Sequence, residues 1–175
     1  MEYVIVYLIK GKAEKLQQKL VKTVGPKFGE NYKVENPWPA HVTLKNPFKI
    51  KNIKRLESTM VEFVKKCKQE KITITGFGNF NKFVVFLKTN FSQHSRKIQK
   101  ELIKEIKKLG IEITKFDKNF SPHSTIAYGN TKETFSKIWN YLKTLPKPKF
   151  NLIFDNITIL RKNKFWEVYK EYPIK

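Results

Sequence analysis

The chain has 175 residues, and its 36 lysines and arginines against 15 aspartates and glutamates give a formal net charge of +21. Apolar residues make up 40% of the sequence, which excludes a disordered basic tail, and the length fits one domain. No apolar run reaches the roughly 20 residues of a membrane helix, and the first residues lack the basic start of a signal peptide. We therefore expect a folded cytoplasmic protein without a membrane partner.

Hydrophobic spacing divides the first half of the chain into alternating strands and helices. The strand at the start is β-branched and aromatic, and the third element is a short strand entered from Pro37-Trp38-Pro39. In chain order the pattern predicts a strand over residues 3–9, a helix over 13–24, a strand over 40–45, a helix over 53–67, and strands over 72–75 and 82–88 joined by a turn at 76–79.

The second half repeats this order. Ser92 and Thr131 are the residue types that cap helix N-termini, and Gly110 and Pro146 are helix terminators. The pattern predicts a helix from Ser92 to residue 109, a loop at 117–119, a strand over 122–127, a helix from Thr131 to residue 145, and strands over 150–160 and 165–169 joined across 161–164.

This repetition predicts an α+β fold in which a duplicated, bilobal chain forms two antiparallel-rich sheets. The sheets are expected to face a central cleft, with the helices on the outside. We expect one domain over residues 1–175, built from pseudo-repeats of about 1–88 and 82–175.

Two of the three histidines occupy the same local pattern in the two halves. His41 precedes Val42-Thr43, and His123 precedes Ser124-Thr125, each on a short predicted strand that follows a proline. Side chains alternate along a strand, so each histidine shares a face with the threonine two residues later. The third histidine, at position 94, has no such motif and is expected at the surface.

Two imidazoles across a cleft suit acid–base chemistry at a phosphodiester, because one can accept a proton while the other donates one. We expect His41 and His123 to be catalytic, and the hydroxyls of Thr43 and Thr125 to bind the non-bridging phosphate oxygens. A two-metal phosphoesterase needs clustered carboxylates, whereas this chain has only two aspartates. The sequence therefore predicts no metal and no cofactor.

Several further side chains are candidates for contacts with substrate. Lys45 is expected on the same strand face as His41, where it would add a positive charge. Aromatic side chains near the motifs could stack on a base or line the cleft; they are Trp38, Phe48, Tyr128, Trp166 and, on the first strand, Tyr7.

The paired motifs resemble those of the two-histidine phosphoesterase superfamily, which includes the 2′-5′ RNA ligase-like proteins and cyclic phosphodiesterases. The segment from Ala40 to Phe48 is similar to the bacterial 2′-5′ RNA ligase-like branch, in which a proline–aromatic pair follows the first motif. The resemblance implies a metal-independent phosphodiesterase with a two-lobed fold that acts on 2′,3′-cyclic phosphates or 2′-5′ linkages of RNA and nucleotides. It implies His41 and His123 as the catalytic pair.

Two alternatives remain open at this point. One is a phosphodiesterase that degrades cyclic dinucleotide or oligonucleotide messengers, and the other is a non-catalytic module that binds RNA by charge and aromatic stacking. In each case the expected partner is RNA or a nucleotide, and the protein is expected to be a monomer. The near-symmetric motifs leave open which histidine is the acid and which is the base.

Overall fold

Eight strands form two antiparallel sheets in the computed structural model, which describes residues 1–175. None of the helices has the length and the apolar composition needed to cross a membrane. The elements are β1 (Glu2–Leu8), α1 (Gly11–Thr23), α2 (Tyr32–Glu35), β2 (His41–Lys49), α3 (Ile53–Val64), β3 (Glu70–Phe80), β4 (Val84–Phe91), α4 (Gln93–Lys108), α5 (Lys115–Lys118), β5 (His123–Tyr128), α6 (Lys132–Thr144), β6 (Lys149–Phe154), β7 (Asn156–Lys162) and β8 (Trp166–Pro173).

The first sheet has the strand order β2-β1-β7-β8 and the second has the order β5-β4-β3-β6. The edge strands β2 and β5 contact each other, so the two sheets meet along the strands that carry the histidine motifs. The predicted α+β fold with two antiparallel sheets is confirmed. Each sheet nevertheless takes strands from both halves of the chain, because β3 joins the second sheet and β7 and β8 return to the first. The division into pseudo-repeats stays a prediction.

The long strand predicted over residues 150–160 is two strands in different sheets. β6 ends at Phe154 in the second sheet, β7 begins at Asn156 in the first, and Asp155 lies between them. The Asn156 side chain accepts a hydrogen bond from the Leu8 N–H at 3.0 Å and donates one to the Leu8 carbonyl at 3.1 Å. These bonds attach the crossover to the end of β1. The sequence over residues 150–160 is a run of apolar and β-branched residues, and such a run does not indicate a crossover.

The turn predicted at residues 76–79 is also displaced. These residues continue β3 beyond an irregularity in its pairing with β4, and the connection lies at Asn81 and Lys82. Both residues adopt positive φ angles, 49° and 56°, as tight hairpin connections require. The predicted loop at 117–119 is likewise different, because the short helix α5 ends at Lys118.

A single large apolar cluster packs both sheets against the inward sides of the long helices. Two of these helices begin where the sequence predicts. Ser92 Oγ accepts the N–H of Ser95 at the start of α4, and Thr131 Oγ1 accepts the N–H of Thr134 at the start of α6. Each such cap contributes about 1 kcal/mol to helix stability.

Candidate active site

The two histidine motifs lie at the start of the adjacent edge strands β2 and β5. His41 and Thr43 pair with Leu8 and Val6 of β1 and share one face of the first sheet. His123 and Thr125 pair with β4 and again share one face. All four motif side chains are half-buried. The structure therefore gives each half an imidazole and a hydroxyl on one side of its edge strand.

Both imidazoles are oriented by the same local hydrogen bond. His41 Nδ1 lies 2.6 Å from the carbonyl oxygen of Pro39, and His123 Nδ1 lies 2.7 Å from that of Ser121. A carbonyl oxygen can only accept, so Nδ1 carries the hydrogen in each ring and the lone pair of the neutral ring lies on Nε2. Each Nε2 can then act as a base, or as an acid once it is protonated.

Lys45 does not share the face of His41. The pairing of β1 with β2 slips by one residue after Thr43, so Leu44 is an extra residue in a β-bulge. The bulge turns Lys45 into the protein interior, where its side chain is 0% exposed and its Nζ lies 3.0 Å from Asp117 Oδ2. This placement does not support a contact with substrate, so Lys45 is not part of the proposed site.

The second motif contains an equivalent bulge. The pairing of β4 with β5 slips after Thr125, so Ile126 is the extra residue and Ala127 turns into the core. In both strands the bulged residue is the third after the histidine. The backbone of the two motifs is thus matched, whereas the residue that follows each bulge differs in charge.

Aromatic rings form the wall beside His123. The ring centroids of Phe80 and Phe86 lie 4.8 Å and 5.0 Å from the His123 centroid. Gly78 faces Phe86 across the strand pair, and a Cβ at position 78 would overlap the Phe86 ring. Glycine at this position therefore lets Phe86 lie close to β3 and towards the histidine.

A tryptophan pair stands beside His41. Trp38 stacks on the His41 ring with centroids 5.1 Å apart, and Trp166 stacks on Trp38 at 4.4 Å. Both tryptophans pack against a small apolar cluster of the first sheet that is separate from the main core. The structure thus brings two of the predicted aromatic residues next to the first motif.

Two other predicted aromatic residues lie elsewhere. Tyr7 is 2% exposed within the main core, and its hydroxyl donates to the carbonyl of Ile153. Phe48 is buried in the same core beside Tyr3. Since Tyr7 and Phe48 are both buried in the main core, neither is part of the proposed site. Tyr128 is half-buried at the end of β5, the strand that begins at His123.

Lys33 is a site residue that the sequence pattern does not reveal. It lies in the four-residue helix α2, is 6% exposed, and places its Nζ 5.2 Å from the Trp38 ring centroid. Burial lowers the pKa of Lys33 to about 8, against the opposing effect of Glu30. In a lysine-rich chain, nothing in the spacing around position 33 distinguishes this lysine from solvated ones.

The electrostatic surroundings lower the pKa of both histidines. Burial, the positive charge of Lys33 and that of His123 lower the pKa of His41 to about 3, although the bond to Pro39 opposes them. Burial also lowers the pKa of His123, against the bond to Ser121. Both shifts favour the neutral imidazole, whose Nε2 lone pair can accept a proton.

Glutamine side chains from the helices hold the two edge strands. Gln17 of α1 donates to the carbonyl of Thr125 at 2.8 Å, and Gln99 of α4 donates to the carbonyl of Leu44 at 3.0 Å. Each bonded carbonyl belongs to the region of a bulge. A helix of one half of the chain thus fixes the histidine strand of the other half.

Two carboxylates complete this arrangement. Glu30 accepts a hydrogen bond from the Tyr128 N–H at 3.3 Å, and Asp117 accepts one from the Asn46 N–H at 2.8 Å. Tyr128 and Asn46 each lie five residues after a motif histidine. No three or more histidine, cysteine, aspartate or glutamate side chains are grouped as a metal ion would require.

Comparisons with known proteins agree with this architecture. The model of the 2′-5′ RNA ligase superfamily matches residues 13–164. The solved structure of TT0787 of Thermus thermophilus is similar at 16% identity and a TM-score of 0.65, over 99% of this chain and 98% of that chain. E. coli LigT complexed with 3′-AMP is similar at 12% identity and a TM-score of 0.64, over 99% of this chain and 98% of that chain. No curated protein matches the sequence. At such identities the solved structures show a shared fold.

Proposed function

Because the chain belongs to the 2′-5′ RNA ligase superfamily, which makes it an enzyme of the phosphodiesterase type, we propose that it hydrolyses 2′,3′-cyclic phosphates or 2′-5′ linkages in RNA or nucleotides. The observation that carries this proposal is the matched pair of motifs. Each supplies a histidine with a free Nε2 and a threonine on the same strand face, and the two strands adjoin. Complexes of E. coli LigT with 3′-AMP and with ATP support a nucleotide as the substrate class.

The reaction on a 2′,3′-cyclic phosphate balances with the two imidazoles alone. One Nε2 removes a proton from water as the water oxygen bonds to phosphorus, and the other, protonated on Nε2, donates to the ribose oxygen as its bond to phosphorus breaks. The product is a phosphomonoester. Solvent then resets the protonation of both rings.

The threonine hydroxyls and the protein's charge act on the phosphate. The Oγ1 atoms of Thr43 and Thr125 belong to half-buried side chains on the histidine faces and donate to the non-bridging oxygens, where negative charge must be stabilised. The net charge of +21 attracts anionic substrates by long-range steering. Trp166 and Tyr128 are proposed to contact the base, whereas Trp38 supports His41.

The test measures hydrolysis of 2′,3′-cyclic AMP and of 2′-5′-linked oligoadenylate by the purified protein in EDTA. His41→Ala and His123→Ala should each lower kcat by about 10²–10⁴-fold, and Thr43→Val by about 10²-fold. His94→Ala is the matched control, because His94 is exposed on α4 and its loss should change nothing. The proposal fails if neither substrate turns over, or if His41→Ala matches the wild type.

The net charge of +21 also favours a second candidate, a module that binds RNA without turnover. Such a module would bind single-stranded RNA with a steep salt dependence, and its affinity would not depend on His41 or His123. A cyclic dinucleotide in the same hydrolysis assay distinguishes the messenger-degrading variant of the enzyme.

A further inference from the structure

Lys33 is a buried lysine without an ion-pair partner. Its side chain is 6% exposed, and none of the ion pairs of the structure includes it. The carboxylate three residues earlier, Glu30, uses its two oxygens for the backbone N–H groups of Tyr32 and Tyr128. A lysine that is buried without a carboxylate partner is costly for folding.

Lys33 and His41 contact the same tryptophan ring. The Lys33 Nζ lies 5.2 Å from the Trp38 ring centroid, and that ring stacks on His41 at 5.1 Å. The ammonium is therefore within about 10 Å of the imidazole, and both groups contact the same tryptophan ring. At this distance and in partly buried surroundings, a unit charge shifts a protonation equilibrium by about one pH unit.

The second motif has no equivalent of Lys33. His123 is surrounded by the rings of Phe80 and Phe86 and by the carbonyl of Ser121. Its cross-strand neighbour Lys88 is exposed, so water and salt screen that charge. Burial has the largest effect on the pKa of His41. The groups that add to this effect or oppose it are Lys33 of α2, His123 of β5 and the Pro39 carbonyl, and the effect of Lys33 is larger than that of His123.

Resting on the function proposed above, we propose that Lys33 is a positioning residue whose charge, together with burial, keeps His41 unprotonated and so assigns it the role of general base. His123 is then the general acid. The matched backbone of the two motifs leaves these roles interchangeable, and the single buried lysine removes the ambiguity. In hydrolysis, His41 Nε2 takes the proton of the attacking water, and His123 Nε2 gives its proton to the leaving ribose oxygen.

The first experiment follows the imidazole resonances of the free protein by NMR between about pH 2 and 8, a range that includes the His41 titration. In Lys33→Met and Lys33→Gln, the His41 resonance should titrate about one pH unit higher than in the wild type, and His123 should change little. Lys33→Arg keeps the charge and should restore the wild-type behaviour. Lys19→Met is the control for net charge, because Lys19 is exposed on α1. An unmoved His41 resonance, or an equal shift in Lys19→Met, overturns the proposal.

The second experiment records kcat/KM against pH on 2′,3′-cyclic AMP. The acid limb reports the base of the free enzyme, so it should move up by about one pH unit in Lys33→Met and return in Lys33→Arg, while the basic limb stays in place. A raised KM with both limbs unmoved would make Lys33 a ligand of the substrate and overturn the proposal. If the wild type turns over no substrate while the His41 resonance still shifts, the proposed function fails and the control of His41 by Lys33 stands.

Discussion

Removal of the Asp117 carboxylate should destabilise the protein strongly, because it leaves the buried Lys45 ammonium without its ion-pair partner. The Lys45 Nζ lies 3.0 Å from Asp117 Oδ2, and both side chains are 0% exposed. In Asp117→Ala the ammonium keeps only the Asn46 carbonyl at 3.1 Å and the ring of Phe48. Loss of one partner of a buried ion pair costs about 3–5 kcal/mol.

The reverse variant should cost less, because Asp117 is better satisfied than Lys45. Four further hydrogen bonds reach its carboxylate, from the backbone N–H and the side chain of both Asn46 and Thr114. Burial alone would raise the pKa of Asp117. The hydrogen bonds from Asn46, Thr114 and Lys45 lower this pKa by more, so the net pKa lies below its ordinary value. Lys45→Met therefore leaves a carboxylate that is still hydrogen-bonded, at a cost of about 1–3 kcal/mol.

Urea unfolding followed by circular dichroism measures both variants, with Glu105→Ala as a control for an exposed ion pair to Lys108. The control should lose less than about 1 kcal/mol. Asp117→Ala should also lower Tm by roughly 10 °C, and the double variant should cost less than the sum of the two single ones. Equal costs for Asp117→Ala and Lys45→Met would refute the reasoning, as would a loss from Asp117→Ala no larger than that of the control.

Two further predictions concern the same region. The pKa of His41 is about 3 in the folded protein against an ordinary 6.5, so the unfolded chain binds the proton more readily. The free energy of unfolding should therefore fall as the pH drops from 6.5 towards 4.5. His41→Asn should reduce this pH dependence in urea titrations, and an unchanged dependence contradicts the burial argument. Gln99→Leu leaves the carbonyls of Leu44 and Asp117 without their buried donor and should cost about 1–3 kcal/mol by thermal unfolding, whereas exposed Gln93→Leu should be nearly neutral.

The sequence pattern predicts the local features of the site because they depend on short spacings. Strand alternation places His41 with Thr43 and His123 with Thr125, and the structure has both pairs on common faces. Hydroxyl side chains at Ser92 and Thr131 predict the starts of two helices for the same reason, since a cap acts within three residues. The α+β class follows from the succession of such local patterns.

Features that depend on long-range pairing are absent from these patterns. A bulge at Leu44 reverses the predicted orientation of Lys45, and a bulge is a property of two paired strands rather than of one. The crossover at Asp155 separates two strands that form one apolar run in the sequence. Lys33 becomes distinct only through burial beside Trp38, because its identity as a lysine predicts exposure.

The two halves of the chain position each other's histidines. Gln17 and Glu30, from the first half, hold β5, whereas Gln99 and Asp117, from the second half, hold β2. A displacement of either half would therefore also move the histidine strand of the other half. This coupling keeps the positions of the two imidazoles fixed relative to each other.

Reciprocal support of this kind would leave a symmetric pair, and a symmetric pair has no preferred direction for proton transfer. The side chains added to the matched scaffold break the symmetry. Lys45 and Ala127 follow equivalent bulges, but only Lys45 forms a buried ion pair. Lys33 contacts the same tryptophan ring as His41, whereas neutral rings and an exposed lysine lie beside His123. The backbone thus sets where the two imidazoles lie, and a few buried charges decide how their roles differ.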